Sequence, residues 1–103
     1  MADLEAALSH HQEGRLQEAA AIYRDVLAAE PANADALHLL GVIEQQHGRH
    51  EAAIEWIGKA IAAAPARPEF HNNLGEASRA LGRTEDAERS YRAALAMDAD
   101  FAA

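Results

Sequence analysis

The histidines are the first side chains whose type invites a chemical role, because a neutral imidazole is a common metal ligand. There are six, and their spacing argues against that role. His10 and His11 are adjacent, so on a helix their rings diverge by about 100°. His47 and His50 straddle Gly48, and the chain has no cysteine to complete a zinc set. The hydroxyls Ser9, Ser78, Ser90 and Thr84 fall at recurring positions without a base and an orienting acid beside them, and the many carboxylates fall on solvated helix faces. Trp56 reads either as filler between packed helices or as part of a convex contact patch. The expectation is therefore no catalytic centre, no metal site and no cofactor, which leaves binding.

Composition narrows what could be bound. Seventeen acidic residues against nine basic give a formal charge of −8, which opposes the counterion release that drives binding to nucleic acid. The charges are spread along the chain, so they read first as a solvated surface and second as an acidic face that steers basic partners. No run approaches the roughly 20 apolar residues of a membrane span, and Met1 to Leu8 lacks a basic n-region. Together with the absence of cysteine, this makes a soluble cytoplasmic protein the default expectation, with neither nucleic acid nor membrane insertion among its partners. Half of the residues are apolar but only 5% are aromatic, so small side chains in closely approaching helices must supply the core.

Those helices repeat. At an offset of 34 residues Gly14, Gly48 and Gly82 coincide, as do Arg15, Arg49 and Arg83, then Ala19, Ala53 and Ala87, and Ala28, Ala62 and Ala96. Tyr23, Ile57 and Tyr91 match in kind. Each unit reads as two amphipathic helices separated by a glycine, predicted at 2 to 13 and 16 to 29, 34 to 47 and 50 to 63, and 68 to 81 and 84 to 98. The glycine suits the left-handed position that ends a helix. Alanine at 19, 53 and 87 lets the second helix approach the first, and the large residue four positions on fills the space beside it. Asn33 is placed to cap the second unit's opening helix, and Pro68 fits the first turn of the third's.

The middle unit shows Leu37, Leu40 and Gly41, then Ala53, Ile57, Ala60 and Pro65; the third shows Leu74, Gly75, Ala87, Tyr91 and Ala94. This pattern at this period resembles the tetratricopeptide repeat, in the form of a three-repeat module of bacterial type. The resemblance covers essentially the whole chain. It implies an all-α, right-handed superhelical α-solenoid of three antiparallel helix pairs, one domain over 1–103 with repeats near 1–33, 34–67 and 68–101.

It further implies that the first helix of each pair lines a concave groove. The positions facing that groove would be Leu4, Glu5, Leu8, His11 and Gln12; then Asp35, His38, Leu39, Val42, Gln45 and Gln46; then Glu69, Asn72, Asn73, Glu76 and Arg79. The expected partner-binding residues are Leu4, Leu8, His11, His38, Leu39, Val42, Gln45, Asn72, Asn73, Glu76 and Arg79. Four apolar members of that row, Leu4, Leu8, Leu39 and Val42, have reason to face a groove if something covers them. Chaperone-tail-binding relatives hold a carboxylate with Lys, Asn and Arg donors. Here Leu4, Leu8, Leu39, Glu69 and Asn73 stand at those places, so that clamp is absent. The asparagine ladder of relatives fused to glycosyltransferases is also broken, since only Asn73 is in place.

Three uses are compatible with these residues. The first is a protein interaction module holding a partner's peptide or helix. The second is the recognition segment of a larger glycosyltransferase or sulfotransferase-like enzyme. The third is a self-assembling scaffold, a homo-oligomer formed through the last repeat, where Leu81, Leu95 and Met97 lack the solvating helix that usually closes this family's modules.

Overall fold

The computed structural model describes residues 4–98, and over that range the chain is six α-helices joined by short turns. They are α1 (Leu4–Gln12), α2 (Leu16–Ala29), α3 (Ala34–Gln46), α4 (His50–Ala63), α5 (Pro68–Ala80) and α6 (Thr84–Met97). Each odd helix packs on the even helix that follows, and α2 and α4 each pack on the first helix of the next pair. Contact therefore passes from neighbour to neighbour, as in a stacked helical repeat.

The turn within each pair follows from its glycine. Gly14, Gly48 and Gly82 hold φ of 80°, 77° and 77°, a backbone conformation in which a side chain would meet its own carbonyl. That geometry satisfies the orphan carbonyls of the helix end: the Arg49 N–H donates to Glu44 O at 2.9 Å and the Gly48 N–H to Gln45 O at 3.0 Å. Arg15 with Gly14, and Arg83 with Gly82, make the equivalent pairs. Because this closing turn begins at Glu13, His47 and Leu81, α1, α3 and α5 stop one residue short of the ends expected from periodicity, and α6 stops one short at its cap Asp98. Residues 2 and 3, expected in the first helix, lie outside the described residues.

At the other helix ends, Asn33 Oδ1 accepts the Ala36 N–H at 3.0 Å, and Pro68 occupies the first turn of α5, as the sequence suggests. Between helices of a pair the spacing is set by small residues. Ala19, Ala53 and Ala87 are buried, and a Cβ added to Gly41 would lie 2.6 Å from Ile57 Cγ1 and 3.2 Å from the Ala53 carbonyl oxygen. Two core clusters result. One gathers Tyr23, Val26, Leu40 and Ile43, the other Leu37, Ile57, Ala60 and Phe70, and Trp56 is a half-buried filler that touches both. Its ring also carries Lys59 Nζ at 5.0 Å from the centroid.

Candidate groove between the first helices

The first helices α1, α3 and α5 place most of the expected groove residues around two hollows. Leu4, Leu8, Asp35, His38, Leu39, Arg67 and Glu69 line one of about 330 Å³. Val42, Gln45, Gln46, Ile57, Asn73 and Glu76 line another of about 200 Å³. Helical periodicity explains the separation: Asp35, His38 and Leu39 share one stretch of the α3 face, and Val42, Gln45 and Gln46 continue it farther along. His11, Asn72 and Arg79, also expected to face a partner, line neither hollow.

The apolar members differ in how they are held. Leu4 and Leu39 are half-buried and pack against the first core cluster, whereas Leu8 is 39% exposed on the hollow's wall. Leu4 thus serves core and groove together, and Leu8 has no such second role.

Beneath the first hollow the second and third repeats are tied by polar groups around a buried ring. Phe70 is fully buried, His38 lies with its ring centroid 4.5 Å away, and the Arg67 guanidinium sits 4.6 Å from the Phe70 centroid. The Asn73 amide donates to His38 Nε2 at 2.7 Å, which requires the neutral imidazole with its proton on Nδ1. Burial lowers the pKa of His38 to about 4; the nearby carboxylates of Glu69 and Asp35 pull the other way without overcoming it. Arg67 Nη2 donates to Asp35 Oδ1 at 3.0 Å and to Glu69 Oε2 at 2.8 Å, and its Nε adds a bond to the same Glu69 oxygen at 3.1 Å. The hydrogen bond to Glu69, with Asp35 behind it, raises the guanidinium further above its usual range. Burial works to raise the Glu69 carboxyl, but the Arg67 hydrogen bonds, its own backbone N–H and the cation's charge together leave it below the ordinary value.

Ile57, expected only as packing filler, also lines the second hollow, and Arg67 is missing from the expected groove because it precedes α5 and belongs to no helix face. A signal was present. At the 34-residue offset it stands where Asn33 caps α3, and a side chain that cannot cap at that position is released to reach elsewhere. Other histidines are engaged within the protein: His11 Nε2 donates to Gln46 Oε1 at 2.8 Å, His50 Nδ1 to Gln45 Oε1 at 2.7 Å, and His71 Nε2 to the Pro65 carbonyl at 2.9 Å. No group of three or more His, Cys, Asp or Glu able to hold a metal occurs among the described residues. None of their helices is long and apolar enough to cross a membrane.

Stacked helix pairs that leave hollows along their first helices define an all-α repeat solenoid. Tetratricopeptide repeat profiles match residues 10–75 and 68–101, and the chain belongs to the tetratricopeptide repeat family. Similar solved structures include the second tetratricopeptide domain of Spaghetti (RPAP3) bound to the HSP90 peptide SRMEEVD, 20% identical with a TM-score of 0.88 over 92% of this chain and 88% of that one. MamA is 24% identical with a TM-score of 0.84, covering 90% of this chain and 54% of its own. An O-GlcNAc transferase mutant of Thermobaculum terrenum is 30% identical with a TM-score of 0.85, over 95% of this chain and 20% of that one. No curated protein sequence matches.

Proposed function

We propose that this chain is a protein interaction module that holds a peptide or short helix of a partner in the groove along α1, α3 and α5. The observation that carries this reading is the apolar row Leu4, Leu8, Leu39 and Val42 along two adjoining hollows of a size for side chains. The fold it shares with the Spaghetti domain, whose structure holds a peptide, supports the same use of the surface. Replacing Leu39 and Val42 together by glutamate should abolish binding of a fluorescent leucine-bearing synthetic peptide while leaving the helical circular dichroism spectrum intact. Undiminished binding by that double variant would sink the proposal.

A second surface favours a second reading. Leu95 and Met97 on α6 are 43% and 42% exposed. Leu95 stands at the repeat position of Leu27 and Ile61, both of which are half-buried against the core. The face of α6 is thus built like the faces of α2 and α4, which pack on a following helix, and a second copy of the chain would cover it as a homo-oligomer. A cytoplasmic, bacterial setting remains part of the proposed reading and rests on composition and on the repeat pattern alone.

A further inference from the structure

The groove's charge says which kind of segment would fill it, an inference that rests on the groove being the binding surface. At the first hollow two carboxylates, Asp35 and Glu69, meet one cation, Arg67, and the cation is spent on both of them. Arg67 uses one oxygen of each carboxylate, so the rim keeps a net negative charge and carboxylate edges that can accept further hydrogen bonds. Their side chains are 51% and 35% exposed, within reach of a ligand. His38, the remaining basic group lining the hollow, is held neutral by burial and by the Asn73 bond. At the second hollow the charged wall residue is Glu76, exposed, again an acid. Arg79 lines neither hollow. Leu4, Leu8, Leu39, Val42 and Ile57 supply the apolar walls.

We infer that the occupant is a basic, apolar segment of a protein: apolar side chains seated in the two hollows and a lysine or arginine between them or beside the first, facing Asp35 and Glu69. Along α3 the stretches that line the two hollows are centred about seven residues apart, on the order of 10 Å. An extended peptide spans that distance with about three residues and a helix with about two turns. An acidic tail such as SRMEEVD, bound by the Spaghetti domain, is the wrong chemistry here, because it would bring its carboxylates to Asp35, Glu69 and Glu76 with Arg67 already neutralised.

Three synthetic peptides of equal length and identical leucine positions test this, differing in whether the intervening residues are lysine, serine or glutamate. Titrated against the whole chain by fluorescence anisotropy at low ionic strength, affinity should rank lysine over serine over glutamate. The lysine and glutamate peptides should differ on the order of tenfold, and the gap should close as salt is added. The isosteric pair Asp35→Asn with Glu69→Gln leaves Arg67 as the hollow's net charge and should weaken the lysine peptide roughly fivefold. The pair Glu18→Gln with Glu55→Gln, exposed on α2 and α4, removes the same global charge and should change little. Equal affinity for the three peptides, a reversed order, or equal losses from both charge-removing pairs would overturn the inference. Equal affinities that Leu39→Glu with Val42→Glu abolishes would leave the groove standing without its charge preference. Binding that this apolar-row variant does not weaken would remove the groove itself, and binding of none of the three peptides would remove both.

Discussion

His38 shows how one side chain can report on the groove floor. It is 8% exposed, packs its tilted ring against Phe70 and accepts the Asn73 amide; the burial and the hydrogen bond favour the neutral ring. Its pKa falls from the ordinary 6.5 to about 4 in the folded protein. Above 6.5 neither folded nor unfolded His38 binds a proton; between 6.5 and about 4 only the unfolded chain does, so stability declines as pH falls through that window. Glu69, whose folded pKa lies below its ordinary 4.5, adds a loss of the same sign only at lower pH. Urea unfolding at about pH 7 and about pH 5 should therefore differ by on the order of 1 to 2 kcal/mol, and His38→Gln, which can still accept from Asn73, should shrink that difference. A variant with an unchanged pH slope would show that burial of His38 is not its source.

At the scale of elements, two glycines in α3 and its turn answer to different physics, and substitution separates them. Gly48 has φ of 77° and open space around an added Cβ, so Gly48→Ala meets only the backbone penalty, about 1 kcal/mol. Gly41 is ordinary in backbone, but its added Cβ strikes Ile57 and the Ala53 carbonyl, so α3 and α4 must separate or Ile57 must leave its rotamer. Gly41→Ala should cost about 1 to 3 kcal/mol, with the larger part from overpacking. Thermal melts of the two variants check the order. The second hollow depends on the same spacing, since Ile57 of α4 reaches past Gly41 to line it.

For the molecule as a whole, stability is a sum over neighbouring interfaces, because α1 to α6 touch mainly their sequence neighbours. The described residues extend 39 × 25 × 22 Å, and helices of 14 residues reach only about 21 Å, so the long axis follows the stacking direction. At one end of that stack the α6 face exposes Leu95 and Met97. Light scattering across a concentration series should show mass rising with concentration if this face takes a second copy, and Leu95→Lys with Met97→Lys should return the chain to a monomer. A monomer at every concentration in the unaltered chain would remove self-assembly and leave the groove as the interaction surface. The two surfaces are separable, since neither Leu95 nor Met97 lines either hollow.

Periodicity alone determined the six helices, their pairing and the glycine turns, because each is a local property: a glycine at φ near 80°, an Asn33 cap and an alanine stripe act within a few residues of themselves. The 34-residue offset carried that information three times over, and so the family was legible before any coordinates. Leu4, Leu8, Leu39 and Val42 could be named as groove candidates because the resemblance to the repeat family implies which positions of each first helix face it. Stacking decided the rest. Arg67 lies 32 residues from Asp35 and outside every helix, and His38 lies 35 residues from Asn73, so each pair meets only when one repeat is laid on the next. The groove's charge and its neutral histidine are products of that contact, set by the distance between repeats and the burial it imposes.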